Sequence, residues 1–119
     1  MVDPIEFRNA LGCFASGVTV VTSAGDERGP VGVTVSAFCS VSLDPPLILV
    51  CLDNRTGCIA CFTEPESGFA VNLLADDQRD VSNAFSVPLG EGLKSLWSGP
   101  FGIRDRLTLM FFAVPGLLR

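Results

Sequence analysis

Phe7, Ala10, Leu11 and Phe14 recur at i, i+3, i+4 and i+7, a spacing that lays apolar side chains along one face of a helix. Asp3-Pro4 ahead of them supplies a cap and a first-turn residue, and Gly12 and Gly17 follow at the far end, so a short amphipathic helix is expected. The pattern then changes to that of strands. Gly17 to Ser23 predicts one strand, Ala24 to Pro30 a hairpin-like turn, and Val31 to Ser36 its antiparallel partner. Ser40 to Leu43 predicts a short strand. Asp44-Pro45-Pro46 must turn, because both prolines fix φ and remove ladder donors. Leu47 to Leu52 is an unbroken apolar run of strand length, which predicts a strand in the middle of the barrel, covered on both faces. Beyond it, Thr56 to Phe62 predicts a helix capped by Thr56, and Phe69 to Leu74 a strand. Asp76 to Phe85 predicts a helix whose acidic first turn suits the helix dipole, and Leu107 to Val114 is apolar enough for one more strand.

This order lacks the alternating βαβ rhythm of a doubly wound sheet, and no Gly-x-Gly-x-x-Gly follows a strand, so a nicotinamide-binding Rossmann domain is rejected. The expected class is mainly β: an antiparallel barrel with peripheral short helices. No internal repeat or low-complexity tract interrupts it.

Composition narrows the reading. A chain of 119 residues makes one domain, able to bury about two thirds of its unfolded surface. A charged fraction of 18% against 48% apolar argues against disorder. The net charge of −5, with no cluster of Lys and Arg, argues against nucleic acid or anionic lipid as a partner. No apolar run has the length of a membrane-spanning helix, and Met1 to Glu6 lacks the basic start and apolar core of a signal peptide, so a cytoplasmic protein without a membrane partner is expected. The five cysteines are odd in number, which suits reduced thiols. Cys58-Ile-Ala-Cys61 has the spacing of half a zinc site or of a redox pair. With no second pair and no His in the chain, no metal is expected. The absence of His also removes Ser-His and Cys-His nucleophiles and the usual general base near neutral pH.

The chemistry concentrates in residues 31–57. Thr34-Val35-Ser36-Ala37 ends one strand in small residues, and Leu52-Asp53-Asn54-Arg55-Thr56 follows the buried strand with donors and one cation. Taken singly, these are ordinary strand-end, turn and helix-start residues. Their order is more specific. Gly32-Val-Thr-Val-Ser-Ala-Phe38, Ser40-Val-Ser-Leu-Asp-Pro-Pro-Leu47 and Leu52-Asp-Asn-Arg-Thr56 closely resemble the FMN-binding signature of the flavin reductase-like family, the split-barrel NAD(P)H:flavin oxidoreductases of two-component monooxygenases. Phe7 to Thr22, and Phe69 to Leu74 with Gln78, Ser82 and Phe85, agree as well, so the resemblance covers residues 7 to about 86.

The resemblance implies an FMN-binding split β-barrel, Greek-key-like, in which Thr34, Val35, Ser36 and Ala37 line the isoalloxazine. Asn54, Arg55 and Thr56, reached through Leu52 and Asp53, would face the ribityl chain and phosphate, with the phosphate favoured by the amides of the helix that follows. Ser42, and Ser40 beside it, would add hydroxyls to the tail. Gln78 and Phe85 would close over the ring or simply pack in the core. Ala37 stands where relatives often carry Ser or Asn. The family's Gly-Asp-His segment has no counterpart after Pro88, so the barrel is expected to be incomplete at the C-terminus, a truncated or altered relative. The implied activity is hydride transfer from NADH or NADPH to FMN or FAD, with reduced flavin passing to a partner oxygenase, in a homodimer. No catalytic side chain is assigned, since hydride transfer needs none. The alternative is a catalytically impaired flavin-binding or interaction protein that keeps only part of the site.

Overall fold

Asp3 starts the first helix because its Oδ1 accepts from the amides of Ile5 (2.9 Å) and Glu6 (3.0 Å), while Pro4 takes the first helical position, where no donor is needed. The computed structural model describes residues 1–27, 29–57, 59–64, 67–87 and 108–111. After α1 (Pro4–Gly12) come β1 (Thr19–Asp26) and β2 (Gly29–Val35), then β3 (Phe38–Leu43) and β4 (Pro46–Val50). The remaining elements are α2 (Ala60–Thr63), β5 (Phe69–Leu73), α3 (Arg79–Ala84) and β6 (Thr108–Phe111). The strands form two antiparallel groups, a four-stranded sheet ordered β2-β1-β5-β6 and the β3-β4 hairpin. The class is mainly β with short helices, as expected.

β1 is central to the larger sheet and is covered on both sides. Val21, opposite Val71 on β5, belongs with Val31, Val35, Cys61 and Phe62 to the buried cluster. Phe38, Ile48 and Val50 of the hairpin and Leu52 beyond it pack against that cluster, so the hairpin closes over one face of the sheet. On the other face lies α3. The Thr34 amide donates to the carbonyl of Phe85 (3.1 Å), the Thr34 hydroxyl donates to the carbonyl of Ser82 (2.7 Å), and the Phe85 ring sits against Gly32. The β1-β2 turn needs glycine at position 25, where φ is +80° and any Cβ would run into the Gly29 carbonyl.

Several expectations shift. β1 runs three residues further than expected, into Asp26, and pairs with β2 across a register irregularity between Ser23 and Asp26. β4 is not a buried middle strand. It pairs only with β3 among the described residues, and Leu49 points outward at 52% exposure while Ile48 and Val50 turn in. Its apolar run is therefore one-sided, which hydrophobicity without alternation could not reveal. The predicted helix from Thr56 shrinks to the four residues of α2, which starts at Ala60 with no side-chain cap, so no helix N-terminus stands at Thr56 to receive a phosphate. The helix expected over Asp76–Phe85 begins only at Arg79. α1 forms as predicted but buries none of its residues; Phe7, Leu11 and Phe14 are all exposed. Of the strand expected over Leu107–Val114, Thr108–Phe111 form β6 on the edge of β5, and the rest lies outside the described residues with 88–107. Cys61 is disulfide-bonded rather than a free thiol, whereas Cys13, Cys39 and Cys51 are free; Cys58 lies outside the described residues.

Candidate functional site

The two segments singled out from the sequence meet. β2 ends at Val35, the chain turns through Ser36 and Ala37 into β3, and the carbonyl of Ala37 accepts from the amide of Cys51 at 3.0 Å, just past the end of β4. That bond places the Thr34–Ala37 strand end beside the Leu52–Thr56 segment, and the cleft opens between them.

Two connected hollows make up the cleft. The larger, about 580 Å³, is bounded by Gly32, Val33 and Thr34 on one side, Asp53, Arg55, Thr56 and Gly57 on another, and Phe85, Ser86 and Val87 at the end of α3. The smaller, about 240 Å³, lies between Val33–Ala37 and Cys51–Asp53 with Thr56. Val33, Thr34, Asp53 and Thr56 border both. Pockets for drug-sized ligands run to about 300–1,000 Å³, so the two adjoining hollows together have the scale for a three-ring system with its tail.

Of the residues expected at the site, Thr34, Val35, Ser36, Ala37, Leu52, Asp53, Arg55 and Thr56 border one or both hollows. Asn54 and Ser42 border neither. Ser42 sits on the hairpin, paired with Leu47 beside a register irregularity. Thr34 comes to the cleft with its donors already engaged, its amide on Phe85 and its hydroxyl on Ser82, so it offers a methyl and an acceptor oxygen. Val35 is buried in the core, and its carbonyl accepts from the Thr19 hydroxyl at 2.7 Å, so its contribution to the rim is backbone. Ser36 and Ala37 are exposed, and with small side chains they leave their backbone approachable. Gln78 is buried at the N-cap position of α3, and its side chain reaches back before the helix, Oε1 accepting from the Ala75 amide at 2.8 Å. It does not border the cleft, whereas Phe85 does.

Gly32, Gly57, Ser86 and Val87 were not singled out from sequence. Gly32 had a signal: it interrupts a β-rich run, which marks a close approach of another element. Ser86 and Val87 had none, since only the docking of α3 onto β2 brings them there.

The charged groups on the wall pair with each other. Asp53 Oδ1 accepts from the Arg55 amide (2.8 Å) and Nε (3.1 Å), and its Oδ2 accepts from Nη2 (2.8 Å). The carbonyl of Asp53 accepts from the Thr56 amide at 2.8 Å, which closes the turn. Hydrogen bonds from the Arg55 side chain, then from its amide, hold the Asp53 carboxyl down at about 2, and the carboxylate in turn raises Arg55. Both side chains are open to solvent.

A flavin would fit these residues. Small side chains at Ser36 and Ala37 expose backbone groups for the polar ring edge, Leu52 supplies apolar wall, and Arg55 and Thr56 supply donors for an anionic tail, while Phe85, 1% exposed, packs its ring in the core against Gly32. Among the described residues, no group of three or more His, Cys, Asp or Glu gathers at a metal-binding spacing, and no helix is long and apolar enough to cross a membrane.

Comparison with known proteins decides the ancestry. The flavin reductase like domain matches residues 11–103. The chain belongs to that family. The match runs past residue 86, where the motif resemblance was read to end. An NADH-dependent flavin reductase from a Rhodococcus species is 46% identical over 87 residues, covering 71% of this chain and 49% of that protein. The reductase component of a flavin-dependent trigonelline monooxygenase from Acinetobacter baylyi is 47% identical over 83 residues, covering 70% of this chain and 26% of that protein. Among solved structures, the NADH:FAD oxidoreductase SgcE6 of Streptomyces globisporus superposes with a TM-score of 0.64 at 37% identity, covering 75% of this chain and 53% of that one. The chain thus spans about a quarter to a half of the length of the curated relatives it matches.

Proposed function

We propose that this domain binds FMN or FAD in the cleft between Val33–Ala37 and Cys51–Thr56 and acts as an NAD(P)H-dependent flavin reductase that supplies reduced flavin to a partner oxygenase. The observation that carries it is the Ala37–Cys51 hydrogen bond, which joins the two family motifs into one cleft wall. The redox chemistry, acceptance of hydride from a nicotinamide, would be supplied by the flavin that these residues hold.

The chain's own task is binding and orientation. The backbone of Ser36 and Ala37 would receive the ring edge, Leu52 would supply apolar contact to the ring, and Thr56 and Arg55 would donate toward the tail. No ionisable side chain moves a proton in this reading, which agrees with a chain that has no His. Relatives named as NADH-dependent flavin reductase and as monooxygenase reductase component support the nicotinamide donor and the oxygenase partner. Second-copy association is part of the proposal: Ile5, Phe7 and Leu11 on α1, Phe14 just beyond it, and Val41, Leu43 and Leu49 on the hairpin are exposed, apolar surface that a second copy would cover. The reading places the homodimer in the cytoplasm.

Oxidation of NADH or NADPH by the purified chain, followed with and without added FMN or FAD, tests the proposal. Flavin-stimulated oxidation is the expected result. Flavin bound without oxidation would leave only the alternative, an impaired flavin-binding protein, and absence of any flavin fluorescence quenching would overturn both. Light scattering reads the oligomer, with a dimer expected.

A further inference from the structure

Asp53 and Arg55 are the charged residues among those lining the two hollows, and they are engaged with each other. Two donors on one edge of the guanidinium, Nε and Nη2, lie on the Asp53 carboxylate, which is itself anchored by the Arg55 amide within the turn. A dianionic phosphate arriving at this wall meets a neutral pair, and the group nearest to the cation is another anion.

We infer that Asp53 sets how strongly the cleft prefers an anionic flavin tail, by occupying the guanidinium that a phosphate would otherwise receive undivided. The inference rests on the flavin reading above and adds to it a specificity-determining residue that does not itself hold the ligand. Arg55 remains the donor to the tail, and Asp53 acts through it. Because like charges in solvent repel weakly but over several ångströms, the carboxylate lowers affinity for FMN and FAD while leaving the ring contacts untouched. The consequence suits a reductase whose product must leave: the tail is recognised but not gripped, and reduced flavin is released to its acceptor.

The test uses Asp53→Asn, whose amide oxygen still accepts from the Arg55 amide and so keeps the turn, while the wall changes from neutral to singly positive. Dissociation constants for FMN and for riboflavin, which lacks the phosphate, are measured by flavin fluorescence quenching at low and high salt in the parent chain, Asp53→Asn and Arg55→Met. The ratio of FMN to riboflavin affinity should rise about three- to tenfold in Asp53→Asn at low salt and fall back at high salt, where charges in solvent are screened. In Arg55→Met the ratio should drop below the parent's. A ratio that stays level or falls in Asp53→Asn overturns the inference, a fall meaning that the carboxylate supports Arg55 instead of competing for it. If riboflavin binds and only the ratio fails to respond, the flavin reading stands and this inference does not. If the parent chain binds neither flavin, both fall.

Discussion

Replacing Gly32 by Ala puts the packing of α3 on the sheet to a direct test. A Cβ at position 32 would lie 2.6 Å from Cε1 and 2.8 Å from Cδ1 of Phe85, and 3.3 Å from Cγ2 of Thr22. Carbon atoms rest about 3.5–4.0 Å apart, so the ring would have to retreat by about 1 Å. Phe85 is only 1% exposed and has little room for that, and its carbonyl is tied to the Thr34 amide at 3.1 Å. Retreat therefore drags the end of α3 away from β2. Overpacking of this kind costs about 1–3 kcal/mol. At about 4 °C per kcal/mol, the midpoint of thermal unfolding should fall by roughly 4–12 °C. Urea unfolding of the parent, Gly32→Ala, Phe85→Leu and the double variant gives the coupling. Phe85→Leu should be destabilising alone, through lost burial, but should partly relieve Gly32→Ala, with a coupling of about 0.5–2 kcal/mol. Since both residues border the larger hollow, flavin affinity should weaken in step. Stability of Gly32→Ala within about 0.5 kcal/mol of the parent, with additive effects in the double variant, would refute the close contact as the reason for glycine here.

Three further outcomes are expected. Ser23, 8% exposed, donates its hydroxyl to the carbonyls of Cys61 (2.8 Å) and Gly68 (3.0 Å), so Ser23→Ala should cost about 1–3 kcal/mol in urea unfolding, and a neutral result would mean that water replaces the hydroxyl. Asn72 is fully buried, with Nδ2 on the Val20 carbonyl (2.8 Å) and Oδ1 without a partner among the described residues, so Asn72→Asp should lose about 3–5 kcal/mol at neutral pH and regain part of it as acid neutralises the new carboxyl; equal losses at both pH values would contradict the burial argument. The Asp53 carboxyl, held at about 2 against an ordinary 3.8, should titrate by NMR near the lower value. Its folded-state value is depressed, so whatever the pair contributes to stability is present above about 3.8 and is lost as pH falls through about 2. In Arg55→Met the midpoint should move up toward 3.8, and an unchanged midpoint would show that Arg55 is not the cause.

The local chemistry of this chain was legible residue by residue. Asp3-Pro4 dictated where the first helix starts, and the β-rich runs Gly17 to Ser23 and Val31 to Ser36 around a glycine-containing turn dictated a hairpin. Asp44-Pro45-Pro46 dictated the turn between β3 and β4, and two small-polar segments stood at the ends of strands. Each depends on neighbours a few residues apart, so each could be read in one dimension. Which side chains stay available was decided only by tertiary contacts. Thr34 looked like a ligand donor, but its hydroxyl bonds Ser82, 48 residues away in the chain. Leu47 to Leu52 looked like a strand buried on both faces, yet nothing among the described residues covers Leu49. Arg55 looked free for a phosphate, yet the backbone turn brings the carboxylate two residues earlier onto its guanidinium. Even the meeting of the two motifs, through Ala37 and Cys51, required the hairpin to fold back over the sheet. Residue type says which bonds a side chain is able to make, whereas the partners that fill those bonds are drawn from the whole chain, and so the cleft's final chemistry belongs to the fold.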